Sequence, residues 1–210
     1  MFVALFLKDG LHLPLEPSEE QKRDKHVIIW GAATGSGMFA IQTLKAQGYQ
    51  TIIAVASLKQ KEKLLSLGAT EVFNRNNAEI ANEIKARYPR VSNGLVCQID
   101  QQGWSSLLSV VKPDDDAKQS PATVAHIIRR VPPEVPQGVT LRRTVAFVLL
   151  QDPLGDSVIA QILPKLLKSP NFQLPKPAEV IAKGTLLERV QAAIKVAEVN
   201  TEVSVVVKVQ

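Results

Sequence analysis

Short, unbroken apolar runs alternate along this chain with longer stretches in which apolar positions recur every three or four residues. Residues 25–31 open the series: Val27-Ile28-Ile29-Trp30 is entered from charged and polar positions and closed by Gly31. A strand apolar at every position is one buried on both faces, because a half-exposed strand would alternate. Residues 51–56, 71–73, 94–100, 122–128 and 141–150 read as further strands. Between them the spacing predicts helices from about Met38 (with Met38, Ile41 and Leu44 on one side and Gly48 as the stop), over 59–67 (Leu64, Leu65 and Leu67 inward, Gly68 as the stop), 78–88 and 104–111. Residues 155–168 read as helical with a kink or break at Pro164, and residues 185–199 as another helix. The valine-rich residues 202–209 read as a last strand, and the apolar residues 1–7 as a buried helix.

Strands of four to seven residues alternating with helices of about ten call for a parallel sheet covered on both faces. With right-handed crossovers that is a doubly wound α/β fold, a mostly parallel Rossmann sheet, followed by a C-terminal helix and strand. The expected organisation is a lead-in over residues 1–24, a dinucleotide-binding domain over 25–170 and a helix–strand segment over 171–210. The stretch 132–136 is proline-rich and reads as a loop within the fold.

Composition narrows the function classes. The 210 residues carry a net charge of +5, with 25 basic and 20 acidic side chains. The densest basic pairs, Arg129-Arg130 and Arg142-Arg143, are not interleaved with aromatics, which argues against nucleic acid; they read as solvated surface unless one arginine meets a phosphate. No apolar run approaches the length of a membrane span. Cys97 is the only cysteine, so an intrachain disulfide is excluded and a cytoplasmic setting is expected. The acids Asp114-Asp115-Asp116 point in successive directions and read as a solvated loop, not a metal site.

The informative chemistry lies in Gly31-Ala32-Ala33-Thr34-Gly35-Ser36-Gly37, between the first strand and the first helix. A turn of small residues there lets backbone N–H groups approach a pyrophosphate, and the positive end of the helix faces it. Thr34 and Ser36 are expected to add hydroxyl donors. At the end of the second strand an NAD site places an acid for the ribose 2′-hydroxyl, whereas Val55-Ala56-Ser57-Leu58-Lys59-Gln60-Lys61 has none before Glu62. A serine and lysines suit a 2′-phosphate, so NADP(H) is the expected cofactor.

The strings Ile-Ile-Trp-Gly-Ala-Ala-Thr-Gly-Ser-Gly (28–37), Ala-Ile-Gln-Thr-Leu-Lys (40–45) and Leu-Gly-Ala-Thr-Glu-Val-Phe (67–73) resemble the medium-chain dehydrogenase/reductase superfamily. The resemblance is nearest to its zinc-independent fungal branch of quinone-oxidoreductase-like proteins and trans-acting enoyl reductases. It implies nucleotide contacts from Gly31 and from the turn Ala33, Thr34, Gly35, Ser36, Gly37 and Met38. It also implies contacts from Ser57, Lys59 and Gln60, and from Arg75 in the place of a family tyrosine. No metal is implied.

The same resemblance implies hydride transfer from NADP(H) to an activated double bond or a quinone-like carbonyl of a small-molecule substrate. Three departures accompany it. The family's N-terminal barrel-like domain is not expected ahead of residue 25, so turnover by this chain alone is expected to be slow unless a partner chain completes the site. Asn200-Thr201-Glu202 replaces a basic residue, and Gln101-Gln102-Gly103-Trp104 replaces a glycine-rich segment. The alternative expectation is a non-catalytic NADP(H)-binding or interaction module. No catalytic residue is assigned: His126 is expected to be a satisfied core histidine and Tyr88 a surface residue. A homodimer through the edge strand 141–150 is expected by analogy.

Overall fold

The computed structural model describes residues 2–111, 122–129, 131–132, 134–145, 155, 158–170, 172–173, 179–199 and 205–207. The chain divides into two compact units, Met1–Phe172 and Gln173–Gln210.

In the first unit, strands β1 (Val27–Trp30), β2 (Ile52–Ala56), β3 (Glu71–Asn74), β4 (Asn93–Val96), β5 (Ala122–His126) and β6 (Val139–Arg143) form one six-stranded sheet in the order β3-β2-β1-β4-β5-β6. Every neighbouring pair runs parallel, with Ile29 beside Ala54 on one side and Leu95 on the other. Alternation splits the apolar runs cleanly. Val27, Ile29, Ile52, Ala54 and Leu95 face a core shared with helices α1 (Phe2–Phe6), α3 (Gly35–Ala46) and α4 (Lys61–Ser66). Ile28, Trp30, Ile53, Val55 and Val96 face the opposite core, closed by α5 (Ile80–Arg87) and α6 (Gln101–Val110). Each fully buried valine, leucine or isoleucine among them contributes about 1.5–3 kcal/mol from area removed from water, so both sheet faces are energetically committed and the register is fixed. This is the doubly wound α/β fold expected from the sequence, and its described sheet is parallel throughout.

Several boundaries differ from those read off the sequence. Helix α3 starts at Gly35, three residues before Met38, because Thr34 caps it. The expected helix 59–67 is a 3₁₀ turn, Leu58–Gln60, followed by α4. Strand β4 stops at Val96, since Asp100 leaves the sheet to cap α6 by accepting the Gly103 N–H at 2.7 Å; α6 therefore begins at Gln101 and not at Trp104. Strand β6 begins at Val139, two residues early, and leaves its ladder after Arg143; residues 146–150 lie outside the described residues. Pro164 marks a break and not a kink: the α-helix Leu163–Lys168 starts with Pro164 in its first turn, where its missing N–H costs little, directly behind a π-helical turn Val158–Ile162. The short helix α2 (Glu19–Asp24), held by a Ser18/Gln21 capping box, was not expected. The triple acid 114–116 lies outside the described residues.

The second unit holds two short parallel strands, Glu179–Ile181 and Val205–Val207, and the helix Leu186–Val199 that joins them. Glu188 accepts from the Thr185 N–H at 2.8 Å and from its hydroxyl at 3.0 Å at the helix start, and these bonds lower the Glu188 carboxyl pKa. The strand 179–181 was not anticipated, and Asn200, Thr201 and Glu202 lie outside the described residues.

Candidate nucleotide site

In an open parallel sheet the loops at the carboxyl ends of the strands splay apart where the strand order reverses. Here that point lies between β1 and β4. The chain leaving β1 turns at Gly31, whose φ is +78°, and a β-carbon there would stand 2.5 Å from the Gln98 backbone nitrogen. The Gly31 and Ala32 N–H groups both donate to Val55 O at 3.1 Å, and the Cys97 N–H donates to Trp30 O at 2.9 Å. The turn is thus fastened to β2 on one side and to β4 on the other.

Thr34 then starts α3. Its hydroxyl donates to Gly31 O at 2.8 Å and accepts from the Gly37 N–H at 3.1 Å, while its carbonyl accepts from the Met38 N–H at 2.9 Å. Thr34 is therefore a helix cap. This corrects the expectation that its hydroxyl serves a phosphate, because the proton is already spent within the turn. Met38 likewise packs its half-buried side chain on the core and commits its N–H to the helix.

The two inner glycines have separate jobs. A β-carbon at Gly37 would lie 2.6 Å from Ala32 Cα, so Gly37 permits the helix to seat on the turn. A β-carbon at Gly35 would meet nothing within 4 Å, so Gly35 keeps space open on the outer side. The first amides of a helix have no carbonyl behind them. Among the described residues the N–H groups of Ala33, Gly35 and Ser36 gain no other partner. Those amides, the dipole of a 12-residue helix and the absence of an acid in its first turn make an anion cradle.

One strand over, Ser57 caps the 3₁₀ turn by accepting the Lys59 N–H at 3.4 Å, and the Gln60 N–H donates to Ser57 O at 3.0 Å. Lys59 and Lys61 are exposed. The Arg75 N–H donates to Ala56 O at 3.0 Å, which ties the residue after β3 to the end of β2. Ser57, Lys59 and Arg75 therefore sit at the same two strand ends, and no carboxylate stands before Glu62 on that loop. Sequence reasoning did not single out Gln98, whose place beside Gly31 was signalled only by a polar residue ending a buried run.

The remaining candidates are structural. Cys97 is buried beside Thr34, and burial pushes its thiol up to about 12, with the Thr34 hydroxyl pulling the other way. His126 is buried, with Nδ1 2.9 Å from Ile128 O and its ring edge-on to Trp104 at 6.0 Å; burial, with some help from Arg143, lowers its pKa. It is the core histidine that was expected. Tyr88 is not a surface residue. It is half-buried against Phe73, its hydroxyl donates to Glu71 at 3.0 Å, and burial raises its pKa. Among the described residues no three His, Cys, Asp or Glu side chains come together to hold a metal ion, and no helix is long and apolar enough to cross a membrane.

Comparison with known proteins agrees with this geometry. Residues 35–117 match the family model described as zinc-binding dehydrogenase. The dehydrogenase azaJ of Aspergillus niger is 28% identical over 199 residues, which are 91% of this chain and 55% of that one. The solved CurK enoyl reductase is 21% identical at a TM-score of 0.64, covering 89% of this chain and 55% of its own. A quinone oxidoreductase of Pseudomonas syringae is 19% identical at a TM-score of 0.63, covering 88% and 57%. The chain thus spans little more than half the length of each of these proteins. The family-model match over residues 35–117, the fungal dehydrogenase relative and the parallel β3-β2-β1-β4-β5-β6 sheet together make the chain similar to medium-chain dehydrogenase/reductase proteins.

Proposed function

We propose that this chain binds NADP(H) and serves a zinc-independent oxidoreductase that reduces an activated double bond or a quinone-like carbonyl. The observation that carries the reading is the open side of Gly35, flanked by amides that have no partner among the described residues and backed by a helix start. A pyrophosphate needs that combination of room, donors and positive potential. The preference for the 2′-phosphate rests on Ser57, Lys59 and Arg75 at the ends of β2 and β3, where an acid would instead have favoured the free ribose hydroxyl.

The bound cofactor supplies the hydride. The residues of this chain bind and orient it. The Gly31–Gly37 turn holds the pyrophosphate, the Ser57–Gln60 loop and Arg75 hold the adenosine phosphate, and the crevice between β1 and β4 directs the rest of the dinucleotide toward β4 and β5. The reaction class is supported by the names of the neighbours, an enoyl reductase and a quinone oxidoreductase.

Thermal unfolding of the purified chain with NADPH and with NADH tests the binding. Cofactor absorbance followed with enones and quinones tests the reaction. Stabilisation by NADPH with turnover supports the whole reading. Stabilisation without turnover supports a binding module instead, and no stabilisation removes the cofactor assignment.

A further inference from the structure

A second charged feature stands on the same sheet edge, away from the turn after β1. A surface cavity of about 390 Å³ is lined by Lys8, Asp9, Arg142 and Arg143. Its walls are built, not accidental. The half-buried Arg142 guanidinium donates through Nη1 to Lys8 O and, at 3.2 Å, to Gly10 O; the Thr144 hydroxyl donates to Asp9 O at 3.3 Å. The loop after α1 is thereby pinned to the end of β6. Arg142 meets carbonyl oxygens there, which accept its hydrogen bonds without cancelling its charge. Among the described residues the side-chain ion pairs are Lys22–Glu19 and Arg87–Glu71, so neither Lys8, Arg142 nor Arg143 is neutralised by a carboxylate at bonding distance. Three cations against the single acid Asp9 leave the cavity positive.

Its position gives this charge a use. All strands are parallel, so the end of β6 lies on the same edge as the phosphate turn after β1. Three strand spacings, β1 to β4 to β5 to β6, separate them, or roughly 14 Å. The adenosine end of the cofactor is proposed above to lie at β2 and β3, so its reactive end extends the opposite way, toward β4 and β5, the latter being the neighbour of β6.

We propose that the Lys8, Arg142 and Arg143 cavity binds an oxyanion of the substrate, a carboxylate or a phosphate carried on the compound to be reduced. This rests on the nucleotide reading for its role in catalysis but not for the binding itself. A substrate held by its anionic end at the end of β6 would be oriented along the sheet edge, and a neutral analogue would lose that hold.

The test uses the full chain carrying Gly35→Val, in which the phosphate turn is blocked, with inorganic phosphate and glutarate as separate probes followed by calorimetry. The cavity binds at least one of the two, and which one it prefers identifies the oxyanion. Lys8→Ala and Arg143→Ala, both exposed positions, each weaken that binding about fivefold or more. Arg142→Ala also frees the loop after α1, so it is a secondary variant. Binding unchanged in both Lys8→Ala and Arg143→Ala, or absent for both probes in Gly35→Val, overturns the proposal. Failure of NADPH to stabilise the wild-type chain, with the Lys8 and Arg143 effects intact, overturns the nucleotide reading and leaves the oxyanion site standing.

Discussion

Gly35 and Gly37 lie two residues apart in the first turn of α3 and face opposite surroundings: a β-carbon on Gly37 would sit 2.6 Å from Ala32 Cα, and one on Gly35 would meet nothing within 4 Å. The first glycine leaves room for a ligand, and the second leaves room for the protein.

Substitution at the two positions therefore separates binding from folding. Gly35→Val is expected to unfold within a few degrees of wild type, yet to lose the rise of about 5–10 °C that NADPH gives the wild type at a hundredfold excess over Kd. Gly37→Ala is expected to cost about 1–3 kcal/mol, since helix and turn must move apart. Thermal melts with and without NADPH check both.

The loop after β2 and the residue after β3 are expected to set cofactor choice. Lys59→Glu combined with Arg75→Glu reverses two charges at the proposed phosphate position. NADPH affinity is expected to fall at least about tenfold and NADH affinity to stay within about twofold. Titration of each cofactor by calorimetry gives the ratio, and equal losses for the two would remove the 2′-phosphate assignment.

His126 makes stability depend on acid. Its folded pKa lies below the ordinary histidine value because burial disfavours the charged ring, so the folded state binds fewer protons than the unfolded chain. Its contribution is whole above the ordinary value and is lost as pH falls through that value toward the folded one. Urea unfolding between about pH 7.5 and 5 is expected to show a larger acid loss for wild type than for His126→Gln. Identical slopes would mean that the ring does not titrate with folding.

At the outer edge of the sheet, the Tyr88 hydroxyl donates to Glu71, which also pairs with Arg87. Tyr88→Phe removes one hydrogen bond and is expected to cost about 0.5–1.5 kcal/mol. Chemical denaturation at constant m-value measures it.

The strands of this fold were plain in the sequence because burial on both faces leaves no polar position inside Val27–Trp30 or Ile52–Ala56. The start of α3 was not, because Gly35-Ser36-Gly37 has poor intrinsic helix propensity and is helical through the Thr34 cap and tertiary packing. Glu179–Ile181 was missed because three residues with one charge carry no period. In the site, the role of each glycine depended on what stands opposite it, which only the folded chain supplies. Thr34 was misread for that reason: its hydroxyl looks free in a list of residues and is engaged in space. Tyr88 was misread because a polar tip at a helix end gives no sign of the Glu71 carboxylate 17 residues earlier in the chain.

Backbone amide NMR of the isotopically labelled chain, recorded while NADPH is added, addresses the phosphate turn directly. The N–H signals of Ala33, Gly35 and Ser36 are expected to move most, together with those around Ser57 and Arg75. NADPH that binds while leaving the Ala33, Gly35 and Ser36 signals in place would contradict the cradle.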